Sequence, residues 1–472
     1  MNDITAIFAF LKYCLGSKED MSGMVAGMNW QELYFFASKQ ALLGLCFEGI
    51  ERLGEEYPEE LGLNPIGREL LMTWMGKAQQ IRRQNMKVNA VASKLFSMLR
   101  EDGMRCCILK GQGNALMYPN PYSRTPGDID VWINASRERI MEYAQKRFEL
   151  GDDIRLQHLE TSLDGVPVEL HFFPCSMNNP IYHTRLQKWF KRKADLQCSN
   201  VVSLPDGAGD IAIPTSAFNV VYQLTHLYHH FFDEGIGMRQ IIDYFLVVND
   251  FSKNVFLDTD LSNHPVNFSN HPVPLSKEGS TFSPSPSSSG SGDVTAPSRC
   301  SEPLRSKDGG ASKPSPNCAG WDRRDAIGAS KVSPGCAGWD RLDTTGDTSS
   351  VSCSSASTAL DVVQRELKYL GLWKFAGAVM YVLKEVLGLS EDKMIVPVDE
   401  KRGRLLLAEI LNGGNFGRHF SKYGHFTQQG MAKKYFLKIW RNMHFVRYYP
   451  AEALSEPIFR TWHFFWRMKN KK

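Results

Sequence analysis

Two aspartates, Asp128 and Asp130, stand one residue apart in a segment whose neighbours, Ile129 and 131–133, are apolar. Side chains two residues apart on a strand point to the same face, and aspartate is rare in strands. Two carboxylates this close repel each other unless a cation lies between them. Mg²⁺ suits this place, because it takes oxygen ligands and keeps coordination sites for substrate phosphates. The pair therefore predicts a divalent metal site.

A third carboxylate and a histidine follow on a second predicted strand. Glu169 and His171 are also two residues apart, in the run Val168–Phe172, so they share a face of that strand. If this strand pairs beside the first one, Glu169 joins Asp128 and Asp130. Three carboxylates on neighbouring strands can hold two metal ions, which clamp the attacking and leaving oxygens of a phosphoryl displacement. The sequence thus predicts phosphoryl chemistry that depends on Mg²⁺ or Mn²⁺.

The turn after the first predicted strand of this region is suited to a triphosphate. Lys110 and Gly111 lie between the predicted strand Arg105–Leu109 and a short predicted helix. Such a turn offers backbone N–H groups and one ammonium group to phosphate oxygens. Arg124 adds a guanidinium that can pair with further phosphate charge. We therefore predict nucleotide contacts at Lys110, Gly111 and Arg124.

Hydrophobic periodicity divides the chain into four regions. Helical spacing dominates both ends, whereas period-two runs and turn signals dominate the middle. In the middle, Asp164-Gly165 between two β-like runs predicts a hairpin, and Ser136 is the predicted N-cap of a helix. The expected fold class is α+β, with a small mixed sheet between helical regions. The predicted regions are an N-terminal helical region (1–103), an α/β core (104–213), a helical C-terminal domain (214–251 and 358–472) and a disordered insertion rich in Ser, Pro and Gly (252–357).

The composition bears on compartment and partners. The 472-residue chain has a net charge of +4, yet residues 401–472 hold 15 Lys and Arg against three Glu. Trp440, Trp462 and other aromatic residues interleave with these charges, which suits a single-stranded nucleic acid. We favour an amphipathic helix with aromatics in the core and Lys and Arg outward, and a membrane surface is a third interpretation. The ten cysteines form no compact framework, and no run is apolar enough for a membrane span, so we expect a cytoplasmic protein.

Together these residues resemble a known pattern. A strand, Lys-Gly, a helix, Arg, Asp-x-Asp and a later acidic residue on a neighbouring strand are similar to the polymerase-β-like nucleotidyltransferases. The closer resemblance is to a bacterial family of uncharacterised nucleotidyltransferases, over roughly residues 25–250 and more loosely 358–460. The matching motifs are Leu109-Lys110-Gly111, Tyr118-Pro119, Arg124, Asp128-Ile129-Asp130, Val168-Glu169-Leu170-His171, the histidines His226, His229 and His230, and the segment from Gly237 to Asp243.

The resemblance implies a metal-dependent enzyme with a nucleotidyltransferase core. Such an enzyme transfers a nucleoside monophosphate from an NTP, such as ATP, to an acceptor hydroxyl and releases pyrophosphate. In this chain the resemblance implies that Asp128, Asp130 and Glu169 are the catalytic and metal-binding residues. Glu169 would also deprotonate or align the acceptor.

The nucleotide turn departs from the wider superfamily at one position. The resemblance implies that Lys110, Gly111 and Gln112 bind the nucleotide. Wider members of the superfamily carry Gly-Ser where this chain has Gly111-Gln112. The absent hydroxyl removes one phosphate contact.

Five further residues are candidate substrate contacts: His171, His226, His230, Arg239 and Asp243. A simpler interpretation of His171 is a bond to a neighbouring carboxylate. His226 and His230 have the i, i+4 spacing of zinc ligands, but no third ligand is evident, which favours a structural role or a substrate contact. Arg239 and Asp243 have the same spacing, which also fits an ordinary helical ion pair.

Two other functions fit the same residues. A degenerate core would bind a nucleotide or a partner without turnover. A toxin–antitoxin component would share the chemistry and modify tRNA or a protein. The acceptor, whether RNA, protein or small molecule, stays open at this point. Replacing Asp128 and Asp130 by Asn separates an enzyme from a degenerate binder.

Overall fold

A computed structural model of the chain describes residues 4–150, 155–254, 349–419 and 431–470. Residues 255–348, which are most of the predicted disordered insertion, lie outside the described residues. The two ends of that predicted insertion belong to helices, since one helix continues to Asn254 and another begins at Ser349.

The N-terminal region is helical, as its apolar spacing predicts. Its helices are α1 (Ile4–Cys14), α2 (Ser22–Gly27), α3 (Trp30–Lys39), α4 (Leu43–Glu56), α5 (Pro58–Leu63) and α6 (Arg68–Glu101). The long α6 ends at Glu101, and Gly103 just beyond it takes a φ of +70° that glycine adopts without a Cβ penalty. Trp74 of α6 donates to the carbonyl of Leu43 at 2.8 Å, which ties α6 to the start of α4.

A small sheet follows. Its elements are β1 (Cys106–Leu109), α7 (Gly111–Ala115), β2 (Ile129–Ile133), α8 (Arg137–Arg147), β3 (His158–Leu163), β4 (Val166–His171), α9 (Pro180–Ser199), β5 (Val201–Ser203) and β6 (Asp210–Ala212). The first four strands lie in the order β1-β2-β4-β3, whereas β5 and β6 form a separate antiparallel pair. Strand β2 pairs antiparallel with β1 and parallel with β4. The sheet is therefore mixed, and the predicted α+β fold class is confirmed.

The local signals in this region have the predicted outcome. Asp164 and Gly165 join β3 to β4 with φ values of +50° and +71°, the geometry of a tight hairpin turn. The hydroxyl of Ser136 accepts from the Arg139 N–H and caps α8.

The C-terminal region is again helical. Its helices are α10 (Ser216–Asp233), α11 (Met238–Asn254), α12 (Ser349–Tyr369), α13 (Trp373–Leu387), α14 (Glu400–Gly413), α15 (Met431–Met443) and α16 (Pro450–Asn470), and short 3₁₀ turns lie at Pro121–Ser123, Pro205–Gly207, Glu391–Lys393 and Asn415–Gly417. Aromatic contacts join α10 to elements on the far side of the insertion: Tyr228 lies 4.8 Å from Phe375 and Phe231 lies 4.6 Å from Phe445, between ring centroids. No helix among the described residues is long and apolar enough to cross a membrane.

The two faces of the four-stranded sheet differ in chemistry. One face packs its apolar side chains, among them Val131, Val168 and Leu170, against α6 and α8. The other face lies toward α10, where Trp132 stacks on Phe218 with 6.0 Å between ring centroids. Because side chains alternate along a strand, Asp130, Glu169 and His171 lie on the same face as Trp132. The sheet thus presents its carboxylates at the junction with the C-terminal helices.

Candidate active site

The carboxylates of two neighbouring strands lie side by side. Asp130 on β2 is in register with Glu169 on β4, and the two strands are parallel. Neighbouring strands are about 4.8 Å apart, so paired residues on one face are in contact range. Asp128 lies just before β2 and is exposed, whereas Asp130 is buried. The pairing that sequence reasoning required between these strands is present.

His171 contacts both of the strand carboxylates. Its Nε2 lies 3.0 Å from Asp130 Oδ1 and 3.1 Å from Glu169 Oε2. Burial lowers the pKa of His171, but the hydrogen bonds and charges of the two carboxylates outweigh burial and raise that pKa to about 9. The imidazole is therefore charged at neutral pH and offsets part of the negative charge. This contact agrees with the simpler of the two interpretations of His171.

Lys110 turns its ammonium group toward the carboxylates. Its Nζ lies 3.0 Å from Asp130 Oδ2 and 3.0 Å from His226 Nε2. The backbone of Lys110 has a φ of +53°, a conformation that costs a non-glycine residue roughly 1–3 kcal/mol and is found mainly at functional sites. Gly111 follows with a φ of +35° and opens α7. The turn thus aims Lys110 at the acidic cluster.

The cluster keeps an excess of negative charge. Asp128, Asp130 and Glu169 meet two cations, Lys110 and His171. The charge of Asp130, helped by partial desolvation, raises the pKa of Asp128 to about 6. The exposed Asp128 is thus the carboxylate whose charge the fold satisfies least.

Arg124 is held in a closed ion pair. Its Nε and Nη2 donate to Asp243 Oδ1 and Oδ2 at 2.9 and 2.8 Å, and both side chains are buried. Tyr118 donates to the same Asp243 Oδ1 at 2.8 Å. Asp243 on α11 therefore pairs with Arg124, a residue distant in sequence, where the simpler interpretation paired it with Arg239. These two hydrogen bonds use the Arg124 nitrogens that the sequence analysis assigned to phosphate.

Arg239 is buried near the same point with part of its guanidinium unpaired. Nη1 donates to the Thr125 carbonyl at 3.0 Å, whereas Nε has no hydrogen-bond partner among the described residues. Burial, followed by the charge of Arg124, lowers the pKa of Arg239, and the charge of Asp128 opposes that shift. Arg239 is thus a cation near the exposed carboxylate.

The side chain of Gln112 points into the interior. It is buried and donates to Asn89 Oδ1 on α6. The Gln112 side chain thus holds α7 against α6, and a nucleotide contact at this position would use its backbone N–H.

The predicted histidines of α10 lie behind Lys110. An ammonium group only donates, so His226 accepts through Nε2 and carries its proton on Nδ1. Burial, followed by the positive charge of Lys110, lowers the pKa of His226 well below its usual value. His230 lies 4.3 Å from His226 between ring centroids, and burial lowers its pKa to about 3. The neutral His226 thus positions the ammonium group of Lys110, and His230 packs against His226.

One histidine of the cluster is absent from the predicted site. His158 on β3 is in register with His171 and is buried beside it. Within the described ranges, His158, Glu169 and His171 are the group of three side chains whose ligand atoms all lie within 4.8 Å of one another. The sequence does contain the information that places His158 in the cluster, because the Asp164-Gly165 hairpin fixes which residue of β3 faces His171.

The basic C-terminal segment has a different arrangement from the favoured interpretation. Trp440 and Trp462 are 42% and 49% exposed, although Phe445 is buried as expected. Lys438 and Arg460 turn inward, and both donate to Asp233 Oδ1 at 2.8 Å. The expectation of aromatics in the core and cations outside is therefore wrong for these residues, because a half-buried carboxylate on α10 pairs with the cations.

Comparison with known proteins gives a match to a protein family. The model of a family described as uncharacterised nucleotidyltransferase matches residues 26–262, which are 237 of the 472 residues. No curated protein matches the chain. No solved structure matches it either. The matched region includes every residue of the acidic cluster.

Proposed function

The chain belongs to the uncharacterised nucleotidyltransferase family and is a transferase of that class, and on this premise we propose a specific reaction for it. It transfers a nucleoside monophosphate from an NTP to an acceptor hydroxyl and releases pyrophosphate. Asp128, Asp130 and Glu169 hold the Mg²⁺ or Mn²⁺ on which the transfer depends. The observation that carries the proposal is the register of Asp130 with Glu169 beside the exposed Asp128.

The donor set fits a hard divalent cation. All three ligands are carboxylates, and the charge of Asp130 disfavours ionisation of Asp128, a repulsion that a divalent cation would relieve. A divalent cation bound there supplies neutralisation of the phosphate oxygens and of the leaving pyrophosphate.

Glu169 and Lys110 have separate roles in the proposed reaction. Burial raises the pKa of Glu169, but the hydrogen bond and charge of His171, together with His158, outweigh it and the net pKa is lowered. A carboxylate that is ionised at neutral pH and a weak base aligns an acceptor hydroxyl better than it removes its proton. Lys110, held by His226, is placed to meet phosphate charge at the edge of the cluster. Catalysis by position and electrostatics is the usual strategy in phosphoryl transfer.

Arg239 takes the phosphate contact that the sequence suggested for Arg124. Both guanidinium groups are buried, but Asp243 already binds two nitrogens of Arg124. Arg239 keeps its Nε without a hydrogen-bond partner in the part of the chain that the structure describes. A phosphate oxygen would complete that donor and offset the cost of burying it.

For the acceptor, we propose RNA as the first class to test. Exposed Trp462 and Phe465 lie on α16 with the exposed Lys469, and exposed aromatics next to cations suit stacked bases and phosphates. Proteins and small molecules also offer hydroxyls, and mass spectrometry of co-purified RNA and protein would detect the modified acceptor. A cytoplasmic location is part of the proposal, because NTP and reduced cysteines such as Cys106 and Cys107 coexist there.

The test compares wild type with the double variant Asp128→Asn/Asp130→Asn. Wild-type protein with Mg²⁺ should incorporate α-labelled NTP into RNA or protein from an extract and release pyrophosphate, and the double variant should do neither. Asp195→Asn, which removes an exposed carboxylate that pairs with Arg105 outside the cluster, is the control. Equal incorporation by wild type and the double variant would refute the proposal.

A further inference from the structure

A second set of metal ligands lies next to the carboxylates. His158 on β3 and His171 on β4 are opposite each other, and their rings are 5.0 Å apart between centroids. Both residues are buried, at 8% and 1% exposure. Glu169 lies between them in space, with Oε2 at 3.3 Å from His158 Nδ1 and 3.1 Å from His171 Nε2.

His158 is the unexplained member of this set. Neither of its ring nitrogens has a hydrogen-bond partner among the described residues. Buried polar groups in folded proteins almost always have a partner, so an orphaned imidazole calls for a ligand. Its Nδ1 faces a carboxylate oxygen that already meets the His171 Nε2. A metal cation between the three atoms would contact all of them once it displaces the proton of His171 Nε2 to solvent.

The distances match those of a bound metal. Four ligands placed 2.0–2.1 Å from Zn²⁺ in a tetrahedron are about 3.3 Å apart from one another. The two measured separations from Glu169 Oε2, 3.1 and 3.3 Å, are close to that value. All three ligand atoms lie within 4.8 Å of one another, a group compact enough to close on one ion.

We propose that His158, Glu169 and His171 bind a divalent transition-metal ion, with Zn²⁺ as the probe. Two imidazole nitrogens and one carboxylate favour such an ion over Mg²⁺, which prefers oxygen ligands only. Glu169 then belongs to two sites, with aspartate oxygens on one side and imidazoles on the other. The inference rests on the proposed function only through this shared Glu169.

The residue behind His171 can support the metal. Gln157 Nε2 lies 3.3 Å from His171 Nδ1. Gln157 can accept the hydrogen bond of Nδ1 once His171 Nε2 binds a metal if the glutamine amide turns over. That change gives up the bond that Gln157 Nε2 donates to the Pro174 carbonyl at 3.1 Å and the bond that Gln157 Oε1 accepts from Ser176 at 3.3 Å. Metal-bound histidines usually have such an acceptor on the second nitrogen.

The test measures zinc on the full-length protein in the presence of excess Mg²⁺. We expect one equivalent of bound Zn²⁺ by elemental analysis, with X-ray absorption that shows outer-shell scattering from two imidazoles. His158→Leu should bind Zn²⁺ at least about 100-fold more weakly, because loss of an outer-shell partner alone costs roughly 10–100-fold. His183→Leu is the matched control, since His183 is a half-buried histidine that accepts from the Met177 N–H outside the cluster.

Each outcome decides the inference. Absence of stoichiometric zinc, zinc without imidazole scattering, or equal zinc binding by wild type and a folded His158→Leu would overturn it. The spectrum of the wild type decides the question even if His158→Leu fails to fold. A wild type without zinc whose labelled-NTP activity still depends on Asp128 would overturn this inference alone, whereas zinc binding with no such dependence would overturn the proposed function alone.

Discussion

Two cation–carboxylate pairs, whose cations Lys110 and Arg124 are 14 positions apart in sequence, differ in how fully their charges are compensated. Arg124 and Asp243 meet through two parallel hydrogen bonds, and Tyr118 adds a third to the same carboxylate. Lys110 and Asp130 meet through one contact of 3.0 Å, and Asp130 shares its other oxygen with His171. The first pair is closed upon itself, whereas the second lies in a cluster with more carboxylates than cations.

The difference separates structural charge from functional charge. Closed pairs hold a fold together, because removal of one partner leaves a buried charge without compensation. A cluster with surplus charge stores repulsion that the fold does not relieve, and a ligand cation can relieve it. The Arg124–Asp243 pair thus joins α11 to the loop before β2. The cluster around Lys110 and Asp130, in our proposal, holds a metal.

The largest effect we predict is on catalysis by Asp128→Asn. Turnover should fall at least about 1,000-fold, an increase of about 4 kcal/mol in the activation free energy. Stability should rise by about 1 kcal/mol at pH 7.5, after allowance for solvent screening, because Asp128 has a pKa of about 6 in the fold and its charge is disfavoured there. Rates of pyrophosphate release and urea unfolding curves measure the two quantities. If the variant keeps activity close to wild type, or clearly loses stability, Asp128 is not part of a metal-binding cluster with excess negative charge.

The reverse pattern is expected for Asp243→Asn. The variant should lose about 3 kcal/mol of unfolding free energy, because the buried Arg124 keeps its charge without a counter-charge. Urea unfolding measures the loss, and activity per folded molecule should stay within a few-fold of wild type. The contrast between the pairs would fail if Asp243→Asn abolished activity in a protein of unchanged stability.

A buried carboxylate that accepts from backbone N–H groups gives a third case. Glu452 on α16 accepts from the N–H of Asn178 at 2.6 Å and of Asn179 at 3.3 Å. Burial raises the pKa of Glu452 to about 7, so the folded protein binds this proton more tightly than the unfolded chain. Stability from this group is present at low pH and is lost as the pH rises from about 4.5 through 7.

The corresponding measurement is the pH dependence of unfolding. Between pH 5 and 7, the unfolding free energy of wild type should fall by about 2 kcal/mol relative to Glu452→Gln, which cannot ionise. Parallel curves for the two proteins would mean that Glu452 lacks the elevated pKa.

The smallest predicted effect concerns the phosphate contact. Arg239→Gln should weaken NTP binding about tenfold, equivalent to about 1.4 kcal/mol, because a charged hydrogen bond to phosphate is lost. The same change should have little effect on the affinity for Mn²⁺ alone. Isothermal titration with a non-hydrolysable NTP and with Mn²⁺ gives both values. Unchanged nucleotide affinity would mean that another cation, such as Lys110, binds the phosphate.

Local patterns in the sequence were enough for the strands and for their shared face. The i, i+2 spacing of Asp128 with Asp130 and of Glu169 with His171, and the Asp164-Gly165 turn, depend on neighbours along the chain. Contacts between distant segments were beyond that reasoning. The partner of Arg124 lies 119 residues away, and the pairing of β2 with β4 forms only with the sheet.

The predicted arrangement of the C-terminal helices is wrong for a related reason. Amphipathic patterns predict apolar residues inside and charges outside, but Asp233 on α10 binds Lys438 and Arg460 and turns their face inward. Trp462 on α16 is left exposed as a result. The sequence pattern of a helix does not show a counter-charge that lies on another element of the fold.

The central claim is that Asp128, Asp130 and Glu169 together bind a divalent cation under a nucleotide. Crystals of the protein soaked with Mn²⁺ and a non-hydrolysable NTP, measured at the manganese absorption edge, test it most directly. We predict an anomalous peak bonded to carboxylate oxygens of all three residues, with the phosphates of the nucleotide on its open side. A nucleotide bound elsewhere, or Lys110 still paired with Asp130 and no peak beside it, would contradict the claim.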